Sequence, residues 1–264
     1  MPPRERYEHG EFCWVDLASL DFETASKFYA GMFGWTLEDT STPGGPRYGV
    51  FLHDGSVVAG LGELSAEDQA AGAAPTWNAY VAVRDIDEVA ARVEALGGTV
   101  LVPPTAPADH GRLAFFIDPQ GAVFAAWQAA DHHGSGKTRE PGAPAWHELA
   151  TPEVDAASAF YGDLLGWSYE DQPIFSAKYH RIRATPDGEP DGGGMLQMNE
   201  EWEGVPPHWM VYLAVADIDA CVAYCSEHGG QVGVPPFDTP VGRISVLCDP
   251  HGAVFSVIEH AETT

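Results

Sequence analysis

Two short runs concentrate the residues whose types could do chemistry: EFCWVDL, beginning at Glu11, and PAWHELA, beginning at Pro144. In each, a tryptophan is followed two residues later by an acid, Trp14 with Asp16 and Trp146 with Glu148. On a strand, residues two apart share a face. A carboxyl set among aromatic rings is poorly solvated, which disfavours its ionised form and raises its pKa toward the range a general acid–base needs. It could equally orient a hydrogen-bond donor or attract a cation held against the rings. Asp16 and Glu148 are therefore the candidate catalytic groups. The other candidates are weaker. Alternation turns His147 to the face opposite Trp146 and Glu148, toward the core. Cys221, Cys225 and His228 share one helix face, where thiols are expected to pack rather than ligate. Arg112 and Arg243 occupy matching places and, among 39 acids, are expected to pair with carboxylates. No Ser-His-Asp or Cys-His signature occurs, nor a phosphate-cradling glycine loop with a lysine.

The elements that must position these residues are legible as repeats. KFYAGMFGW at Lys27–Trp35 returns as AFYGDLLGW at Ala159–Trp167. Phe28 recurs as Phe160, Asp85 as Asp217 and Pro103 as Pro235, each 132 residues on. FIDPQGAVF and LCDPHGAVF match at Asp118 and Asp249, one residue short of that spacing. A fainter repeat of 64 residues aligns Trp14 with Asn78 and Trp146 with Met210. The chain is thus four copies of one unit. Each reads as an alternating strand, an acidic helix start (Asp21, Asp85, Glu153, Asp217), an amphipathic helix closed by glycine, and three shorter strands. This gives an α+β fold of four βαβββ modules in two halves. Expected bounds are 8–129 and 145–260, with a Gly/Pro-rich linker at 130–144. The stretch Asp131–His133 falls in that linker and is assigned no role.

At 264 residues with 45% apolar content, each half can bury a core of its own. A net charge of −26 opposes binding to nucleic acid or an anionic membrane, since a polyanion would be repelled. No run of about 18 apolar residues exists, and the N-terminus lacks a signal-like apolar stretch. Four cysteines without CxxC spacing suit a reduced, cytoplasmic chain.

The FYAGMFGW and FYGDLLGW stretches, the VRDID and VADID helix starts and the DPQG and DPHG turns resemble the vicinal oxygen chelate superfamily. That family includes glyoxalase I, bleomycin-resistance proteins and extradiol dioxygenases, and the wording of these motifs resembles its tandem actinobacterial members. The resemblance implies two tandem domains, each a half-closed mixed-sheet cup with helices on its convex face. It also implies where a divalent ion would sit: on the first strand seven residues before the helix-starting acid, and on the last strand seven after the DP-x-G aspartate. Those positions hold Trp14, Asn78 and Ala125 in one half and Trp146, Met210 and Ser256 in the other. Indole offers a cation no usable lone pair and alanine offers nothing, so no metal and no cofactor is expected. A displaced site joining Asp16 with Glu63, or drawing on Gln197, would lack a histidine.

The strand facing that the resemblance implies gives each cup a lining. Trp14, Asn78, Tyr80, Phe115 and Trp127 are the expected ligand contacts of the first, joined by Leu113 and Ala125. Trp146, Met210, Tyr212 and Ser256 are those of the second, joined by Ile244, Val246 and Ile258. Such mixed apolar and aromatic walls suit a small molecule. Three readings follow: a metal-independent binding protein holding a planar or cationic ligand; a glyoxalase-like lyase, isomerase or natural-product tailoring enzyme using a cup carboxylate; or a chain acting through a protein partner, its cups vestigial and filled by Trp14 and Trp146. The expected partner is a small molecule, with the chain a monomer or homodimer.

Overall fold

The computed structural model describes residues 4–42, 44–172, 177–185, 188 and 193–261. The first half runs β1 (Phe12–Ser19), α1 (Phe22–Phe33), β2 (Thr36–Asp39), β3 (Tyr48–His53), β4 (Ser56–Glu63), a short α2 (Ala66–Ala70), β5 (Thr76–Ala82), α3 (Ile86–Ala95), β6 (Thr99–Ala108), β7 (Gly111–Ile117) and β8 (Val123–Ala129). The second repeats it as β9 (Pro144–Thr151), α4 (Val154–Leu165), β10 (Ser168–Asp171), β11 (Tyr179–Arg183), β12 (Gly193–Gln197), β13 (His208–Ala214), α5 (Ile218–Glu227), β14 (Gln231–Thr239), β15 (Gly242–Cys248) and β16 (Val254–His260). Each half forms one eight-stranded mixed sheet, in the order β2-β3-β4-β1-β5-β8-β7-β6 and β10-β11-β12-β9-β13-β16-β15-β14. Two modules therefore meet along β1–β5 and along β9–β13, both antiparallel.

Of the four module helices α1, α3, α4 and α5, three begin as the sequence predicts. Asp21, Asp85 and Asp217 accept from backbone N–H groups of the first turn. Glu153 makes no such bond. Gln197 Oε1 accepts from Val154 N at 3.0 Å, as Gln128 and Glu259 accept from Ile86 N and Ile218 N at the starts of α3 and α5, while Gln120 Oε1 accepts from Glu153 N at 2.9 Å. Gln197 therefore serves a helix start and stays out of the cup. Gly34 and Gly166 end α1 and α4 in left-handed conformations (φ 68° and 78°), which glycine adopts without a Cβ clash.

The sheets' convex faces share one core with the helices, running through both halves. The repeated FY and GW residues build this junction. Tyr29 Oη donates to Asp249 Oδ2 at 3.2 Å and accepts from Trp77 Nε1 at 3.0 Å. In mirror fashion Tyr161 Oη donates to Asp118 Oδ2 at 3.0 Å and accepts from Trp209 Nε1 at 2.9 Å. Trp35 Nε1 reaches Gly142 O, and Trp167 Nε1 reaches Gly10 O, at 2.8 and 2.7 Å. Each half's helix and the tryptophan after it thus lock onto turns of the other half or of the segment that leads into it. The same aspartates accept from the N–H groups of their own turns, Asp118 from Gln120, Gly121 and Ala122 and Asp249 from His251 and Ala253. These buried polar groups are satisfied, as burial requires.

Candidate functional site

A bulge at the start of each half decides which side chains face the cup. Phe12 pairs with Val81 but Trp14 with Tyr80, so Cys13 is an extra residue. In a regular strand Phe12 and Trp14, two residues apart, would share a face. Instead Phe12 enters the common core, and Trp14 joins the cup cluster with Tyr80, Ala125 and Trp127. Ala145 has the same place in the second half, between Pro144↔Leu213 and Trp146↔Tyr212.

At each cup centre a carboxyl is gripped by tyrosines. Asp16 accepts from Tyr80 Oη and Asn78 Nδ2, both at 2.9 Å, with Tyr48 Oη at 3.5 Å, and Trp14 Nε1 donates to Tyr48 Oη at 3.3 Å. Glu148 accepts from Tyr212 Oη and Tyr179 Oη, both at 2.9 Å, and Trp146 Nε1 donates to Tyr179 Oη at 3.0 Å. Burial raises the pKa of both carboxyls, and the tyrosine donors oppose that rise without cancelling it. Burial likewise raises Tyr48, Tyr80, Tyr179 and Tyr212, helped by the carboxylate beside them, so all four stay as phenol donors. The arrangement is a carboxyl able to hold or release a proton inside a shell of neutral hydroxyls.

Tyr48 and Tyr179 were absent from the sequence-predicted lining. Their signal was present: each follows a basic residue that ion-pairs with the helical first turn, Arg47 with Glu23 and Lys178 with Asp155. Gly60 and Gly194, the strand neighbours of Asp16 and Glu148, make room for them. A Cβ on either glycine would strike the tyrosine hydroxyl.

The remaining predicted residues fall as follows. Tyr80 stacks edge-on with Phe115, with centroids 5.7 Å apart. Trp127 lies beside Trp14, while Met210 and Tyr212 lie beside Trp146. Ser256, between Tyr212 and Val246, is fully buried, with its hydroxyl beside that of Tyr212. The Asp16–Glu63 pairing fails. Gly60 is the residue opposite Asp16, so Glu63, three further along β4, points from the other face. His147 leaves the cup and stacks on Phe12 at 4.2 Å, and burial lowers its pKa to about 3. Cys221 and Cys225 are buried in the core, and His228 stacks on Tyr224 at 3.8 Å. Arg112 and Arg243 make bidentate pairs with Asp87 and Asp219.

The linker carries a correction. Asp131–His133 has a role: His132 sets its ring edge-on against Trp14 at 4.6 Å, and its carbonyl accepts from Trp127 Nε1 at 2.8 Å. Ser135 N and Gly136 N then bond to Cys13 O and Val57 O. This strap closes the first cup over Trp14. Trp146 has no ring partner among the described residues and stays partly exposed.

At the positions where the resemblance expects metal ligands, Trp14, Asn78 and Ala125 in the first cup and Trp146, Met210 and Ser256 in the second provide no imidazole or carboxylate. Among the described residues no group of three His, Cys, Asp or Glu side chains could hold a metal ion. The donor set does not fit a divalent cation.

The Glyoxalase/Bleomycin resistance protein/Dioxygenase superfamily model matches residues 12–126 and 143–257. The chain belongs to that superfamily. It is 40% identical to the glyoxylase-named protein CFP32 of Mycobacterium tuberculosis over 263 residues, 99% of each chain. It is 37% identical to the anthracycline biosynthesis protein DnrV of Streptomyces peucetius over 270 residues, 97% of this chain and 96% of that one. The fold matches the Mn(II)-bound glyoxalase of Novosphingobium aromaticivorans with a TM-score of 0.63 at 19% identity, covering 95% of this chain and 82% of that one. The 2,3-dioxygenase LapB of Pseudomonas sp. KL28 also gives 0.63, at 16% identity, covering 95% and 92%. No helix among the described residues is long and apolar enough to cross a membrane.

Proposed function

We propose that this superfamily member is a metal-independent small-molecule-binding protein that holds a planar ligand in an aromatic-lined cup. The observation that carries this reading is the carboxyl–tyrosine–tryptophan chain standing where the resemblance expects metal ligands. It offers a ligand one hydrogen-bonding centre, Glu148 in the second cup, beside the face of Trp146 and the apolar side chains of Met210 and Ile244. Two relatives named for anthracycline biosynthesis support a fused planar ring system as the ligand shape. The test is calorimetric titration of chelator-treated protein with 1,8-dihydroxyanthraquinone. Saturable binding, indifferent to EDTA and weakened at least about 10-fold by Trp146→Ala, is expected. Absence of binding, or binding only after Mn, Ni or Zn is added, overturns the reading.

A second reading has its own support. The raised pKa of Glu148 and Asp16 suits a general acid–base in a tailoring reaction. In that case Glu148 would exchange a proton with the bound molecule while Tyr179 and Tyr212 orient its carboxyl. Conversion of a bound ligand, abolished by Glu148→Gln with affinity retained, would favour the enzyme.

A further inference from the structure

The second cup contains a cation that the first lacks. Along the strand register Arg181 lies beside Gly194, and Gly194 beside Glu148. The matching row in the first half is Val50, Gly60 and Asp16. Val50 packs against the first cup's aromatic cluster, which fixes the facing of this position. Within β11 the neighbours agree: His180 bonds to Ser158 of α4 and Ile182 is fully buried in the common core. Alternation therefore directs Arg181, like Tyr179, onto the cup face.

Arg181 is half-buried and forms no ion pair or hydrogen bond among the described residues. Arg4, Arg47, Arg112, Lys137, Lys178 and Arg243 each hold a carboxylate, and Arg6, Lys27 and Arg84, which hold none among the described residues, are exposed, whereas Arg181 is half-buried. Its cross-strand neighbour Glu170 is exposed and pairs with Arg183 at 3.8 Å. Glu148 lies two strands away, about 9.5 Å between backbones, with its oxygens already taken by Tyr179 and Tyr212. On the far side of Glu148 the sheet continues through Ser256 on β16 to an apolar rim on β14, where Val234 and Phe237 are 41% and 39% exposed. Val234 and Phe237 pair with Val246 and Ile244 on the same cup face.

We propose that the second cup is the ligand site, and that it takes a flat aromatic molecule bearing an anionic group, a carboxylate or its equivalent, with the anion on Arg181 and the rings over Trp146. This rests on the binding reading above and adds the ligand's charge and the choice of cup. The first cup, with Val50 at this position and His132 over Trp14, does not share it.

The test is calorimetric titration of the whole protein with anthraquinone-2-carboxylate and with its neutral analogue, anthraquinone-2-carboxamide. The acid is expected to bind one site per chain, about 10-fold tighter than the amide, as a charge-assisted guanidinium bond supplies. Arg181→Gln should erase that preference while leaving amide affinity in place, whereas Lys27→Gln, an exposed cation elsewhere, should change neither. Raising salt should narrow the gap between the two probes. Equal affinities in the unmodified protein, or a preference that survives in Arg181→Gln, would overturn the Arg181 assignment and leave the binding reading standing. Two equal sites per chain would overturn the choice of cup. If neither probe binds, both the assignment and the binding reading fail.

Discussion

Acid should open the first cup, and the strap over it supplies the magnitude. His132 is held edge-on to Trp14, and burial lowers its pKa from 6.5 to about 4. Nearby His110 and His133 lower it further, while Asp131, itself held by His110 at 2.8 Å, acts in the opposite direction. A group with a depressed folded-state pKa contributes stability that is fully present above its unfolded value, here 6.5. That contribution is lost as pH falls toward about 4. The loss is roughly 3 kcal/mol in total, or about 100-fold in the opening equilibrium of the strap. The amides of Ser135 and Gly136, bonded to Cys13 O at 2.8 Å and Val57 O at 2.7 Å, report that opening. Their hydrogen-exchange protection, corrected for intrinsic rates, should fall about 100-fold between pH 7 and pH 4. His132→Phe keeps a ring against Trp14 without a titrating nitrogen, so its protection should vary far less. Protection that stays constant in the unmodified protein, or falls equally in His132→Phe, would refute the assignment of His132 as the acid-sensitive part of the strap.

Other outcomes follow from the same geometry. Glu148→Gln should raise the melting temperature at neutral pH, because an acid with a raised folded-state pKa destabilises the fold once it ionises. The gain should vanish in acid, where Glu148 is already protonated; a gain independent of pH would contradict the burial argument. Gly194→Ala should destabilise by about 1–3 kcal/mol in chemical denaturation, since the new Cβ displaces Tyr179. Tyr29→Phe strands Trp77 Nε1 and removes a donor from Asp249, and should cost about 2 kcal/mol. Asp21→Ala should lower stability in chemical denaturation and Glu153→Ala clearly less, because only Asp21 bonds to its helix.

Much of the fold was legible because its determinants are local or periodic. Alternation placed Trp14 with Asp16 and Trp146 with Glu148, and kept His147 off the cup. The same rule, followed further along β4, would have removed Glu63, whose position depends on the parallel register Asp16↔Gly60. Tyr48 and Tyr179 were missed because they act across two strands, through a gap left by a glycine. The FY and GW repeats were legible as motifs, yet their purpose lay in hydrogen bonds 43 to 220 residues apart in sequence.

By itself the sequence determined four modules in two halves, an acid beside a tryptophan in each, and first- and last-strand positions without metal donors. The first two follow from residue type and spacing, and the third from the positions the family resemblance implies. Only the tertiary structure decided that two tyrosines hold each acid, that a linker histidine closes one cup, and that Arg181 faces the other. Each of those facts depends on which strands become neighbours and on how far a side chain reaches once they have. Two cups written with nearly the same pattern thus differ in access and in charge.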